Sequence, residues 1–169
     1  VDELLASPVL RDPAFQLAVG EWIDYWENVA TPWFPDVLQR MGRFEQTVDS
    51  ALAERGLPPS LRYLPLIESG YSPGARSQAS AVGMWQFMAG TASEFGIEVT
   101  PFVDERRNPY KSTEAAVSFL SELHGRFDSW FLALAAYNGG PNRARRILRQ
   151  YAAVTPPSDS VFWALREHW

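Results

Sequence analysis

At 169 residues the chain is long enough for one domain with a proper core, and 46% hydrophobic and 21% charged residues fit a globular protein. A net charge of −5 argues against general affinity for nucleic acid or acidic lipid, and the absence of Cys excludes disulfides, a thiolate nucleophile and a Cys-based metal site. No run is long and apolar enough to span a membrane, and the start at Val1 without a signal peptide leads us to expect a trimmed fragment.

The pattern predicts helices nearly throughout. Phe15, Val19, Trp22, Tyr25 and Trp26 recur at helical spacing and form one face. Thr31-Pro32 is expected to open the next helix as a cap followed by proline at the first position. Phe44, Val48, Ala51 and Leu52 make its apolar face, with Gly56 as its stop. Pro58-Pro59 separates it from the run Leu61 to Glu68. Residues 84–88 also read as helical. Thr91 and Glu94 have capping-box spacing for a short helix that Gly96 ends. Residues 97–111 read as loop, after which Ser112 or Thr113 is expected to cap a helix carrying Ala116, Phe119, Leu120 and Leu123. Trp130 to Tyr137 is almost wholly apolar and should be a buried helix. Asn138-Gly139-Gly140-Pro141 breaks it, and Ala144, Ile147, Leu148 and Tyr151 restart the pattern. Val154 to Pro157 is a linker, and a short last helix is expected from Ser160. No alternation of period two and no internal repeat appears.

One carboxylate stands out. Most Glu side chains are solvated surface groups. Glu68, however, follows Leu64, Leu66 and Ile67, and Ser69-Gly70 suggests that it closes a helix. Apolar surroundings and the negative end of a helix dipole both disfavour its ionisation. A protonated Glu at neutral pH is what a general acid needs. Gln86, between Trp85 and Phe87, is either a surface amide or a buried hydrogen-bonding group with a target. Met84, Trp85 and Met88 read as part core, part cleft wall. Ser77 reads as loop. Asn138-Gly139 is adequately explained as a helix stop, but Tyr137 brings a hydroxyl to the helix end that would need a partner. Aromatics at 14%, with seven Trp, are a mild hint of a sugar site.

Other candidates are weaker. His124 and His168 lack ligand-like spacing, so no metal is expected. Arg143, Arg145, Arg146 and Arg149 could bind phosphate, but on an acidic protein a solvated helix face is the plainer reading. Gly139-Gly140 follows a helix and is no phosphate loop.

At these motifs the chain resembles the lytic transglycosylases, lysozyme-like enzymes that cleave bacterial peptidoglycan, and in particular their membrane-bound D type. The resemblance spans about residues 36–152. It rests on Gly56-Leu57-Pro58, Leu64-Pro65-Leu66-Ile67-Glu68-Ser69-Gly70, Ala75-Arg76-Ser77, Gly83-Met84-Trp85-Gln86-Phe87-Met88 and Thr91-Ala92. It continues through Val103 to Pro109 and from Trp130 to Asn138-Gly139. It implies an all-α, lysozyme-like single domain with a substrate cleft: an N-terminal helical segment, 1–35, packing on a catalytic domain, 36–169. Glu68 takes the place of the catalytic acid/base. Ser77 matches the Ser that helps hold that Glu or the substrate N-acetyl group. Met84, Gln86 and Met88 match the substrate-binding stretch, Tyr137 the Tyr that hydrogen-bonds the Glu, and Asn138 the same motif.

Two departures stand out. The family usually has Gly-Ala where this chain has Ser80-Ala81. Its Glu-Thr…Tyr element near the C-terminus is not found in residues 150–169, so one cleft wall is expected to be missing or supplied beyond Trp169. Ordinary glycosidases use two carboxylates. No motif here offers an evident second one, since Asp104 reads as an ion-pair partner of Arg106. In lytic transglycosylases the substrate's own N-acetyl or hydroxyl group completes the reaction, giving a 1,6-anhydro product. The resemblance thus implies non-hydrolytic cleavage of the MurNAc–GlcNAc β-1,4 bond without a cofactor. It implies a monomer acting on peptidoglycan strands in the periplasm or cell envelope, with any membrane anchor or cell-wall-binding module outside the fragment. The rivals are a hydrolytic muramidase of the goose-lysozyme kind on the same scaffold and a catalytically inactive glycan-binding module.

Overall fold

The computed structural model describes residues 2–169; Val1, with which the expected N-terminal segment begins, lies outside the described residues. Among the described residues eight α-helices follow one another: α1 (Pro13–Asn28), α2 (Phe34–Glu54), α3 (Leu64–Ser69), α4 (Ala89–Glu94), α5 (Pro109–Phe127), α6 (Trp130–Gly139), α7 (Pro141–Tyr151) and α8 (Asp159–Ala164). Among the described residues the only β pairing is three isolated bridges, so the all-α expectation holds. The residues fall into two units. One joins the N-terminal residues through Tyr25 to Leu120–Trp169, and the other is Trp26–Phe119.

In the Trp26–Phe119 unit, α2 buries Val37, Met41, Val48, Ala51 and Leu52 along one stripe. It stops as expected: Gly56 takes φ 65°, and Leu57 N–H returns to the Leu52 carbonyl at 2.9 Å. Its start differs from the sequence reading. The helix begins at Phe34, with Pro35 in its first turn, and the Thr31 hydroxyl donates back to the Glu27 carbonyl of the preceding helix. Thr31 therefore finishes α1 rather than opening α2.

Two further caps fall elsewhere. Thr91 lies inside α4, which starts at Ala89 without a side-chain cap. Asn108 caps α5, its Oδ1 accepting from Tyr110 N–H at 3.0 Å and Lys111 N–H at 3.1 Å. That leaves Ser112 and Thr113 within the helix and fully buried. Ser112 is satisfied by donating to the Asn108 carbonyl at 2.7 Å, and Thr113 Oγ1 accepts the Trp85 indole N–H at 3.0 Å. The stretch read as loop, 97–111, thus contains a 3₁₀ turn at Glu105–Arg107 and the first turn of α5.

Residues 83–88 are not helical. A four-residue turn, Gly83 to Gln86, is closed by reciprocal 3.0 Å hydrogen bonds between Val82 and Phe87. Arg106, 7% exposed, fixes this turn. Its Nε and Nη2 donate to the two Asp104 carboxylate oxygens at 2.8 Å each, and Nη1 donates to the carbonyls of Phe87 at 3.0 Å and Ser80 at 3.2 Å. A helical reading fails here because the carbonyls of this segment are engaged elsewhere: that of Gly83 by Gln86, that of Met84 by the Ser69 hydroxyl and that of Phe87 by the buried guanidinium.

In the other unit, Asp12 caps α1, accepting from Ala14 N–H at 2.8 Å and Phe15 N–H at 3.2 Å. The α1 spacing is helical as expected, yet none of its residues is fully buried and Trp22 is 63% exposed. Phe15 packs edge-on against Phe131 of α6 (centroids 5.8 Å apart) and Trp163 of α8 (5.1 Å). Ser129 caps α6, which buries Trp130, Leu132, Ala133 and Ala136. Ser158 caps α8, which begins at Asp159.

Gly83 sets a strict test of the turn. It has φ 88°, and a Cβ there would lie 2.0 Å from the Arg106 carbonyl oxygen. Gly83→Ala is expected to cost more than about 2 kcal/mol, measured by urea unfolding. An unchanged midpoint would show that the turn is free to move.

Candidate active site

Five of the seven expected site residues, Glu68, Ser77, Met84, Gln86 and Met88, lie in the Trp26–Phe119 unit. Tyr137 and Asn138 lie in the other. Each group is built by its own unit.

Glu68 occupies the last turn of α3, as the Ser69-Gly70 signal predicts. Gly70 is left-handed (φ 58°) and its N–H returns to the Leu66 carbonyl at 2.9 Å. The setting differs in one respect: Ile67 is 71% exposed, so it is not a wall beside the acid. Glu68 is nonetheless half-buried, and burial raises its carboxyl above the ordinary value of 4.5.

Three neighbours hold this helix end through side chains to which sequence reading gave no role. Ser69 Oγ donates to the Met84 carbonyl at 2.7 Å and accepts from Ser72 N–H at 3.1 Å. It thereby ties the residue after Glu68 to the turn that carries Gln86. Arg40 Nε donates to the Gly70 carbonyl at 2.7 Å, placing a cation at the helix C-terminus. Tyr71 is fully buried and left-handed (φ 59°), and its hydroxyl donates to the Arg62 carbonyl. A bulky residue in that region is strained. The available signal was local: a Ser and a Tyr flanking the Gly that ends the acid's helix.

Gln86 also has positive φ, 51°. Its Nε2 donates to the Gly83 carbonyl at 2.8 Å, so the amide is folded over its own turn and half-buried. Met88 is 48% exposed. Met84 is a correction: it has no exposed surface and cannot offer a wall to a ligand, and with Trp85 it belongs to the core. Ser77 closes a turn, its backbone N–H donating to the Ala81 carbonyl at 2.9 Å and its hydroxyl accepting from Ala81 N–H at 3.0 Å. Ser80, where the family usually has Gly, takes φ 67°, a conformation glycine adopts without strain.

Tyr137 is half-buried in the last turn of α6 and Asn138 is exposed. Asn138 continues the stripe Phe131, Leu134, Ala135. This stripe lines an apolar groove of about 420 Å³ with Phe15, Trp22 and Trp163. Tyr137 continues the Trp130, Ala133 stripe instead, so the two neighbours do not share a face. No group of three or more His, Asp or Glu able to hold a metal occurs among the described residues.

The family described as "Transglycosylase SLT domain" matches residues 47–156. Membrane-bound lytic murein transglycosylase D of Escherichia coli K12 is 34% identical over 131 residues, 77% of this chain and 28% of that protein. The peptidoglycan transglycosylase gp16 of phage T7 is 36% identical over 104 residues, 60% of this chain and 8% of that protein. The chain therefore spans about a quarter or less of the length of these two relatives. Among solved structures, an inactive Glu-to-Gln mutant of lytic transglycosylase Slt from Pseudomonas aeruginosa aligns with TM-score 0.54 and 30% identity. That alignment covers 62% of this chain and 18% of the other. The lysozyme-like all-α class expected from the motifs is therefore the one found.

The raised Glu68 carboxyl has a consequence for stability. Its folded-state value lies above the unfolded one, so the site is most favourable below the ordinary value, where both states are protonated. Stability is lost as pH rises through the folded value, because the ionised group is then poorly solvated. Glu68→Gln should be neutral at low pH and stabilising at pH 7. Urea midpoints at the two extremes would check this, and a destabilised mutant at pH 7 would contradict it.

Proposed function

The chain belongs to the transglycosylase SLT domain family, and on that premise we propose that it cleaves peptidoglycan as a lytic transglycosylase, with Glu68 as its single general acid/base. The observation that carries the reading is the half-buried carboxyl at the end of α3, which burial raises above its ordinary value, the direction a general acid needs. Glu68 donates this proton to the glycosidic oxygen between MurNAc and GlcNAc as the C1–O bond breaks. The carboxylate so formed removes the proton from the muramyl 6-hydroxyl as that oxygen attacks C1. The products are a free GlcNAc 4-hydroxyl and a 1,6-anhydro ring, and Glu68 is again protonated.

A second carboxylate is not required. Asp104, within the stretch from Val103 to Pro109, has both oxygens bound by Arg106, and hydrogen bonding to Arg106 lowers it below the ordinary range. It is a structural anion. Gln86 and Met88, on the turn tied to Ser69, are assigned to sugar contacts. Ser77, Tyr137 and Asn138 are assigned to supporting the acid and the substrate. Residues 36–169 are assigned the catalytic machinery, and Phe15 of the preceding segment packs on Phe131 and Trp163. A monomer in the periplasm or cell envelope fits this substrate. Among the described residues no helix is long and apolar enough to cross a membrane.

Two measurements test the reading. Glu68→Gln should lower cleavage of sacculi by roughly 10²–10⁴-fold, the usual contribution of a general acid, while binding persists. Comparable turnover would remove Glu68 from the chemistry. Mass spectrometry of the wild-type digest should show ends one water lighter than hydrolysis gives. Ends of the hydrolytic mass would assign the chain to the muramidases, and an inert wild type would leave a glycan-binding module.

A further inference from the structure

The thirty-residue interval between Asp128 and Asp159 contains four arginines, no lysine and no carboxylate. In a chain of net charge −5 this stretch carries +4, leaving −9 for the rest. All four arginines lie on α7 and all are exposed. None forms an ion pair among the described residues, which is also true of Arg11, Arg40, Arg43, Arg76 and Arg107, but only on α7 do four such arginines lie together.

Three of them are gathered further. Asn142, Arg145, Arg146, Arg149 and Gln150 follow the i, i+3, i+4, i+7, i+8 spacing of a single helix face and line a shallow hollow of about 560 Å³. Arg145 is steadied within it, Nη2 donating to Asn142 Oδ1 at 2.8 Å. The opposite side of α7 buries Ala144 and Ile147. A merely solvated face gains from mixed signs and i,i+4 pairs. This one has a single sign, with guanidiniums three and four residues apart, an arrangement that repels itself unless an anion lies across it.

We propose that the Arg145–Arg146–Arg149 face of α7 binds the carboxylates of the peptide stems carried by the glycan strand. The proposal rests on the peptidoglycan reading above. Guanidinium forks suit carboxylates bidentately, and the proposed substrate presents such groups repeatedly along its length. The charge distribution favours a strand over a lipid surface. A flat anionic membrane would face the field of a molecule whose remainder carries −9, whereas a strand can lie on α7 alone. The strip would thus let the protein grip peptide-bearing strands in preference to bare glycan.

The test compares the wild type with R145Q/R146Q/R149Q and R145K/R146K/R149K. Binding is measured to insoluble intact sacculi, to glycan stripped of its stems by an amidase, and to phosphatidylglycerol vesicles. The Gln variant is expected to bind intact sacculi roughly tenfold more weakly, as three exposed ion pairs allow. It should bind stripped glycan like the wild type, and its deficit should shrink with added salt. The Lys variant should fall between the wild type and the Gln variant, keeping the charge and losing the bidentate fork. Equal binding of wild type and Gln variant to intact sacculi would overturn the proposal. So would an equal loss on stripped glycan, or a loss confined to vesicles. Failure of the function reading is separately visible: it would appear as missing anhydro ends in the wild-type digest, whatever the strip does.

Discussion

The Trp26–Phe119 unit is organised around one buried cation. Arg106 brings four donated hydrogen bonds to a site only 7% exposed: two to Asp104 and two to the carbonyls of Ser80 and Phe87. Removing one partner of such a buried pair typically costs about 3–5 kcal/mol, because the other charge stays behind without compensation. The Ser80 and Phe87 carbonyls, on either side of the Gly83–Gln86 turn, cannot move away without leaving Nη1 of the guanidinium unpaired. The backbone of Arg106 also presses on Gly83, so side chain and main chain of one residue fix the same turn from two directions.

From that turn the constraint passes to the acid. The Met84 carbonyl accepts the Ser69 hydroxyl, so the residue following Glu68 is bonded to the segment preceding Gln86. Trp85 anchors the turn to α5 through Thr113. Gln86 and Met88, assigned to the substrate, thus adjoin a network in which Ser69, Trp85 and Arg106 are all engaged.

Much of this was legible in the sequence where the signal was local. Gly56, Gly70 and Gly96 ended helices as expected because a left-handed residue after an apolar stripe has few other uses. The apolar run at 130–137 became α6, and the Asp104–Arg106 pair was anticipated. Thr31 and Ser112 looked like caps because a hydroxyl can bond either forward to open N–H groups or backward to a carbonyl one turn earlier, as both do here. Thr113 instead accepts from the Trp85 indole, and Thr91 lies inside a helix that starts at Ala89. Residues 84–88 looked helical because apolar spacing over five residues cannot distinguish a helix from a buried turn. Only Arg106, some twenty residues away, decides it. Met84 was misplaced for the same reason, and Ile67 because a six-residue helix presents most of its surface to solvent.

Tyr71 extends the consequences to the alkaline side. Burial pushes its phenol above the ordinary value of 10.0, with the charge of Asp49 adding to the effect. In the unfolded chain that phenol ionises near its ordinary value, whereas in the folded chain it stays protonated and bonded to Arg62. Above that point the unfolded form releases a proton that the folded form retains, and the balance tilts toward unfolding as base is added. The residue that locks the chain just beyond the proposed acid therefore also gives the fold an intrinsic sensitivity to high pH, independent of any change at Glu68.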